Sequence, residues 1–431
     1  MKIQIDEIKI IDELYPRDKI NASKVEEYSQ YISVLPPITL NQDNKVIDGV
    51  HRLHAFKKAG QKEIECNIIQ TKDDDDLFLK SVELNAKHGY QMTQPEKKRN
   101  IIKLYEKTLK GEAKTFDVKR LKEAFSIPDR TFSDWTKSLN DELEGQLLEK
   151  ILDLWLQNKT QEEITNVVGL KQNTVSDKIK QISQFLKEIS ENAELPIPIK
   201  YEFLADKWRK MSEFQPIIYN IWKQQSYDSE NTHFGKFPQT FMENLLYYYT
   251  KPFDVVYDPF AGGGVTIDAC KKWLRKYYAS DLNPIETRND ITKWDIAKGL
   301  PDKMPIPNFV FLDPPYWKQA EGKYSKDKED LANMPLDNFY DTLLTLVTQL
   351  KKKMKSGYVA FVIQPTQWKN NYVWEDHIIK VIEMFKSKGF EVDMRINLPY
   401  STEQYNAQMV EISKKEKMLL SLYRDLVVFK L

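Results

Sequence analysis

The sequence predicts a multidomain α/β chain in which a small α/β unit and a helical region precede a larger domain built on a mostly parallel sheet. Three observations predict it. From about residue 200 onward, runs of β-formers alternate with helical patterns, as they do where crossover helices join parallel strands. Two of those runs end in sharp corners, Asp258-Pro259-Phe260-Ala261-Gly262-Gly263-Gly264 and Asp313-Pro314-Pro315-Tyr316-Trp317. From about residue 76 to 192 helical patterns dominate, and two of them have helix–turn–helix spacing.

In chain order, residues 1–75 read as the small unit, with strands expected at 3–10, 38–40, 46–47 and 64–69. A helix is expected over 23–32, capped by Asn21 or Ser23, and another opens after Gly49 and ends at Gly60. The acidic run 73–76 reads as a solvated turn or a helix start. Residues 76–194 read as helical. The weaker helix–turn–helix spans 118–139. In the stronger one, Thr160 caps a first helix with Glu163 completing a capping box, and Gly169 supplies the turn. Gln172, Asn173, Thr174, Ser176 and Lys178 then lie on a second helix that could face a major groove, the alternative being a plain αα-hairpin. Leu195-Pro196-Ile197-Pro198-Ile199 reads as a stiff linker. Residues 200–431 form the third domain, with strands expected at 255–257, 277–279, 310–312, 358–363, 392–398 and 426–431.

Composition sets outer limits. A chain of 431 residues with 41% hydrophobic and 30% charged residues can build real cores in about two or three domains. Its 64 Lys and Arg balance 64 Asp and Glu, so any DNA-facing surface must be a local basic patch. Cys66 and Cys270 are the only cysteines, which argues against a disulfide framework and for a cytoplasmic setting. No stretch approaches the roughly 20 apolar residues of a membrane span, and the N-terminus has no signal-peptide core. No metal set is expected.

The first corner has the pattern of a cofactor turn. Gly262 and Gly264 let backbone approach a ligand between a strand and a helix. Asp258, at the strand end, is placed to meet an ammonium group. Asp281 follows Gly262 by nineteen residues at the next strand end, where such folds present an acid to ribose hydroxyls. Asp295 follows Trp294 and could accept from an adenine amine beside a stacking ring. Phe237 and Pro238 lead a helix that could cover the methionine end of S-adenosylmethionine.

The second corner has the pattern of a transfer site. An exocyclic amine is a weak nucleophile because its lone pair is delocalised into the base. Asp313 can accept one amine hydrogen and the Pro314 carbonyl the other, aiming the nitrogen at a sulfonium methyl. Pro315 stiffens the corner, and Tyr316 offers a flat face to a base flipped from its duplex. Trp317 adds to that cage. The polar stretch 318–334 is expected to close over the base, with Lys318, Lys323 and Lys326 near phosphates.

On these motifs, residues from about 215 to 431 resemble the amino-group DNA methyltransferases that modify adenine N6 or cytosine N4. The resemblance implies a Rossmann-like seven-stranded sheet with an antiparallel last strand, at Arg424-Asp425-Leu426-Val427-Val428-Phe429. It also implies that Phe260, Gly262, Gly264 and Asp281 bind S-adenosylmethionine and that Asp313 to Tyr316 hold the base. Such enzymes usually carry a target-recognition domain, for which this chain leaves no room after residue 258. Further upstream, Pro36-Pro37-Ile38-Thr39-Leu40 and Val46-Ile47-Asp48-Gly49-Val50-His51-Arg52 resemble the nucleotide-binding domain of ParB-type partition proteins, a fold shared with sulfiredoxin. That likeness implies a helix N-terminus at Gly49, with His51 and Arg52, facing the phosphates of CTP or another nucleotide. Val50 stands where the redox family has its cysteine, which makes thiol chemistry unexpected.

The expectation is therefore a cytoplasmic, restriction-modification-type DNA methyltransferase that uses S-adenosylmethionine. Double-stranded DNA would be its partner, selected by the N-terminal half. Adenine N6 is preferred because an acid heads the second corner. N4-cytosine or RNA base methylation is the enzymatic alternative. A nucleotide-switched, partition-type DNA-binding protein with an inactive transferase half is the alternative of another class.

Overall fold

In a computed structural model, the structure describes residues 1–17, 19–87, 92–223, 237–318, 330–367, 374–399 and 406–431. The chain divides into two compact units, Met1–Glu144 and Gly145–Leu431.

The first unit starts with β1 (Lys2–Gln4), α1 (Ala22–Ser29), β2 (Ile38–Leu40), β3 (Val46–Asp48), α2 (Val50–Lys58) and β4 (Glu63–Ile68). Its sheet has the order β1–β4–β2–β3. Helices α3 (Asp74–Lys87), α4 (Gln94–Leu109), α5 (Val118–Phe125) and α6 (Asp129–Leu156) follow, and α6 continues into the second unit. The strand expected over 3–10 stops at Gln4, where Ile5–Glu7 makes a 3-10 turn. Ile3, Ile5 and Ile8 are all buried, so the inward spacing changes from two to three and the chain must turn. The acidic run opens α3, the helix start that was one of its two readings, but it is not wholly solvated. Asp76 is buried and accepts from the Lys72 backbone N–H, Arg120 and Lys80. Arg120 comes from α5, so its neighbourhood is tertiary and local sequence did not signal it.

The second unit contains α7 (Gln161–Val168), α8 (Gln172–Glu191), α9 (Glu202–Ser212) and α10 (Gln239–Tyr249). Then come β5 (Val255–Asp258), α11 (Val265–Lys272), β6 (Lys276–Asp281), β7 (Thr292–Lys293), β8 (Phe309–Leu312), α12 (Leu336–Lys353) and β9 (Tyr358–Ile363). The chain ends with β10 (Thr366–Gln367), β11 (Trp374–Glu375), α13 (His377–Ser387), β12 (Glu391–Pro399), α14 (Ala407–Glu416) and β13 (Tyr423–Lys430). The main sheet has seven strands in the order β12–β13–β9–β8–β5–β6–β7. Strands β5 to β9 pair in parallel, and β13 runs antiparallel to both β9 and β12. This is the mostly parallel Rossmann-like sheet with an antiparallel last strand that the resemblance implied.

Both faces of the sheet are covered. Val256, Phe309, Phe311, Val362 and Val428 enter one core together with α8, α10 and α11. Their neighbours Tyr257, Val310, Leu312, Phe361 and Phe429 enter the other with α12 and α13. Period-two alternation between two apolar layers explains why these strands read as continuous hydrophobic runs. Residues 145–194, helical in sequence character, pack in this same unit: Leu148, Leu152, Ile164, Val175 and Ile182 share the first core with Leu245 and Val256.

Candidate active site

The two corners leave neighbouring strands. In the parallel pair β5 and β8, Val256 lies opposite Phe309 and Tyr257 opposite Val310. Parallel neighbours end at one edge, so the 258–264 bend and the 313–316 corner emerge side by side at the carboxyl edge of the sheet. Ligands of open α/β sheets gather outside that edge. The proximity is also electrical, since the charge of Asp313 is one of the influences that push the Asp258 carboxyl upward.

Asp258 ends β5 and is 3% exposed. One oxygen accepts from the Phe260 backbone N–H at 2.9 Å and the other from the Thr266 hydroxyl at 2.5 Å. Burial pushes its pKa up to about 7, against the pull of those two bonds. The carboxylate expected to meet an ammonium group therefore faces inward and pins the bend.

The two glycines of the bend differ. Gly264 has φ +82° and caps α11, and a Cβ there would stand 2.5 Å from Cζ of Arg288. Arg288 is held by Asp268 at 3.0 Å and Asp290 at 2.8 Å, so it cannot swing aside cheaply. Gly262 has φ +48°, and a Cβ there would meet nothing closer than the Phe260 carbonyl at 3.9 Å. Packing fixes the glycine at 264, whereas the one at 262 leaves an open face over the bend. The Gly262 N–H donates to Asp281 at 2.8 Å, which ties the bend to the end of β6. The other Asp281 oxygen accepts from the Asn283 N–H at 2.9 Å. Beyond it, the Trp294 backbone N–H donates to the Asp281 carbonyl at 2.8 Å, and its indole N–H donates to the Gly299 carbonyl at 2.7 Å. Asp295 caps the short turn Ile296–Lys298 through the Ala297 N–H at 2.9 Å. Pro238 is the N-cap of α10, and the Phe237 ring beside it lies 4.7 Å from that of Phe311, two residues before Asp313.

At the second corner, the Tyr316 hydroxyl donates to Asp313 at 2.9 Å. Arg424, at the start of β13 and 7% exposed, donates to the same hydroxyl at 3.5 Å and lies over the Phe237 ring. Burial pushes the Asp313 pKa up to about 6, while Arg424 and Tyr316 pull it back toward the ionised form. Pro314 is buried, and the Trp317 indole N–H donates to the Met334 carbonyl at 2.8 Å. The Lys318 N–H donates to the Ala332 carbonyl at 3.2 Å. Lys323 and Lys326 lie outside the described residues. Sequence reasoning missed Arg424 and Arg288. The only trace of Arg424 is a cation at the head of an otherwise apolar terminal strand.

In the first unit, a cavity of about 250 Å³ is lined by Arg17, Tyr28, Asp48, Gly49, His51 and Arg52, among others. Gly49 caps α2 with φ +103°. Arg52 donates to the Pro36 and Pro37 carbonyls, each at 2.9 Å, and to Asp48 at 2.7 Å. His51 accepts from the Asn21 N–H at 3.0 Å, and burial with nearby Arg17 pushes its pKa down to about 4. Arg17, 6% exposed and bonded to Asn85, was not foreseen.

On α8, Gln172 and Asn173 are exposed, and Thr174, Ser176 and Lys178 are half-buried. The Thr160–Glu163 capping box forms, and Gly169 ends α7 at φ +70°.

Fold and edge together define a methyltransferase-type Rossmann sheet. The chain belongs to the N6/N4 DNA methylase family: that family's model, described as a DNA methylase, matches residues 10–289, more than half of the chain. The match takes in the 258–264 bend and ends before the 313–316 corner. Membership brings S-adenosylmethionine as the cofactor. The transcriptional regulator NovG of Streptomyces niveus is 28% identical over 156 residues, 33% of this chain and 49% of NovG. The chain thus spans about half the length of the curated relative it matches. Among solved structures, an S-adenosylmethionine-dependent methyltransferase from Archaeoglobus fulgidus is 14% identical with a TM-score of 0.28, covering 45% of this chain and 95% of that one. The partition protein ParB of Caulobacter crescentus, complexed to the parS site, is 14% identical with a TM-score of 0.18, covering 49% of this chain and 84% of that one. No helix among the described residues is long and apolar enough to cross a membrane.

Proposed function

We propose that the protein methylates an exocyclic amine of a base in double-stranded DNA, with adenine N6 favoured over cytosine N4. The observation that carries this is the emergence of both corners at one carboxyl edge from adjacent parallel strands. The bound cofactor supplies an electrophilic methyl group. Phe260 and the open face of Gly262 suit its methionine end, and Gly264 sets the helix that follows. Asp281 keeps lone pairs for ribose hydroxyls beside its backbone bonds. Asp295 and Trp294 suit the adenine, and Pro238 closes the far side. Asp258 acts by shaping the bend.

Asp313 accepts one amine hydrogen and the Pro314 carbonyl the other. A carboxylate does this only when ionised, and Arg424 with Tyr316 favours that form. Pro315 holds the corner stiff, and the Tyr316 ring stacks on the extruded base. Asp313→Ala is expected to abolish transfer to duplex DNA while S-adenosylmethionine still raises the melting temperature. Retained transfer would remove Asp313 from this role.

DNA selection falls to residues 1–194, divided by sequence character at 75, with Gln172, Asn173, Thr174, Ser176 and Lys178 presented by α8. The first unit's cavity suits a nucleotide such as CTP, met by the N-terminus of α2 at Gly49, by His51 and by Arg17. Arg52 is already engaged by Pro36, Pro37 and Asp48, so it shapes the pocket wall. Melting curves with CTP and ATP test this: no shift with either would empty the pocket of that role.

A further inference from the structure

Behind the second corner lies a chain of hydrogen bonds that methyl transfer does not itself employ. His377, at the start of α13, is fully buried. Its Nδ1 lies 2.8 Å from the Tyr340 hydroxyl and its Nε2 2.8 Å from the Thr366 hydroxyl. Tyr340 in turn lies 2.6 Å from a Glu375 carboxylate oxygen, and Thr366 lies 3.0 Å from the Trp317 carbonyl. The chain runs Glu375, Tyr340, His377, Thr366, Trp317, and ends one residue after Tyr316. The rings of Phe339 and Trp317, with centroids 5.7 and 6.1 Å away, hold the imidazole in place.

Counting hydrogens shows that the chain cannot be fully satisfied by a neutral ring. Each hydroxyl has one hydrogen to give, and the Glu375 carboxylate and Trp317 carbonyl only accept. To serve both ends, Tyr340 must donate to Glu375 and Thr366 to Trp317. His377 must then donate from both nitrogens, which only an imidazolium can do. Burial opposes the charge and pushes the pKa down to about 4, with Glu375 pulling weakly the other way. Near neutral pH the ring carries one N–H, and one end bond is given up. With the proton on Nε2, Thr366 donates to the Trp317 carbonyl, and Tyr340 turns its hydrogen to Nδ1. With the proton on Nδ1, Tyr340 donates to Glu375, and Thr366 turns its hydrogen to Nε2.

We propose that His377 is a positioning residue through whose tautomer Glu375 and the Trp317 carbonyl compete for one hydrogen bond. The outcome decides whether Thr366 adds its hydrogen bond to the Trp317 carbonyl, just after the base-gripping corner, beside those the Trp317 indole and Lys318 make. Glu375, drawing Tyr340, removes that bond; His377 protonated on Nε2 supplies it. The relay stands on its own geometry, and only its effect on rate rests on the methyltransferase reading.

Nitrogen-15 NMR of the full chain, selectively labelled at its five histidines, reads the tautomer directly. Glu375→Gln weakens the competing acceptor and is expected to move His377 toward Nε2–H. Thr366→Val removes the hydroxyl while keeping the shape and is expected to move it toward Nδ1–H. In methylation assays on duplex DNA, Thr366→Val should lower kcat by about tenfold or more, as misplacement near a reacting centre does. Glu375→Gln should change kcat in the opposite sense, the KM for S-adenosylmethionine should hold in both, and Thr366→Ser should restore the rate. An unmoved tautomer in both variants overturns the proposal. So does a parallel fall of kcat in both that tracks the melting temperature. Tautomer shifts in the variants of a chain whose wild type transfers no methyl group support the relay and overturn the enzymatic reading.

Discussion

Arg424 sits on the last strand with its guanidinium 3.5 Å from the Tyr316 hydroxyl and within electrostatic reach of Asp313. Burial has already pushed the Asp313 pKa up to about 6, and Arg424 is the first influence holding it down. Removing that cation lets the pKa rise, so a larger fraction of Asp313 is protonated and, in its proposed role, unable to accept from an amine. Arg424→Met should therefore move the acid limb of the pH–rate profile to higher pH. The loss of kcat should be several-fold greater near about pH 6 than near about pH 8. Equal losses at both would mean that Arg424 acts on packing alone. The strand-end positions of Asp281 and Asp313 were legible because each follows a run of β-formers at a fixed spacing. Arg424 and Arg17 were not, because what gives each its place is a neighbour far away in the chain, and Arg288 was not because only the fold brings Asp268 and the Gly264 bend to it. The inward turn of Asp258 was equally hidden, for it depends on Thr266 coming round the first turn of α11.

At the scale of elements, the two glycines of the 258–264 bend should separate stability from the proposed cofactor binding. Gly264→Ala forces a Cβ against a pinned guanidinium at positive φ and should cost about 1–3 kcal/mol of stability. Gly262→Ala has open space, so its stability loss should be smaller and its main effect a weaker affinity for S-adenosylmethionine. Melting curves with and without the cofactor check both. Equal melting losses with unchanged affinity would detach Gly262 from the cofactor. On α8, Val175, Ile179 and Ile182 face the core, leaving Gln172 and Asn173 at the exposed N-terminus. The double change Gln172→Ala and Asn173→Ala should weaken DNA binding while altering stability by no more than about 0.5 kcal/mol. Unchanged DNA affinity would reduce α7 and α8 to an αα-hairpin. The capping box and Gly169 were readable because cap and turn chemistry are local. The early end of β1 was missed because the change in isoleucine spacing at Ile5 looks like continued alternation until burial is known.

For the whole molecule, alternation of strand and helix after residue 200 gave the sheet class, and the apolar run at the C-terminus gave its antiparallel strand β13. Sequence character did not reveal that the division between the compact units falls inside the long α6, because helical periodicity continues through residue 144 without a break. Nor could it show that residues 148–189 share a core with the methyltransferase sheet, since the same apolar stripe would serve a separate bundle. With zero net charge, the proposed DNA binding would fall to local surfaces, and affinity should then drop with added salt in proportion to the few phosphates engaged.

The shared carboxyl edge of β5 and β8 is tested most directly by sequencing that reads modified bases in DNA from cells expressing the chain, beside cells expressing Asp313→Ala. The predicted result is N6-methyladenine at a defined sequence with the wild type and none with the variant. DNA without methylated exocyclic amines in the wild type, or the same marks in both, would contradict the account.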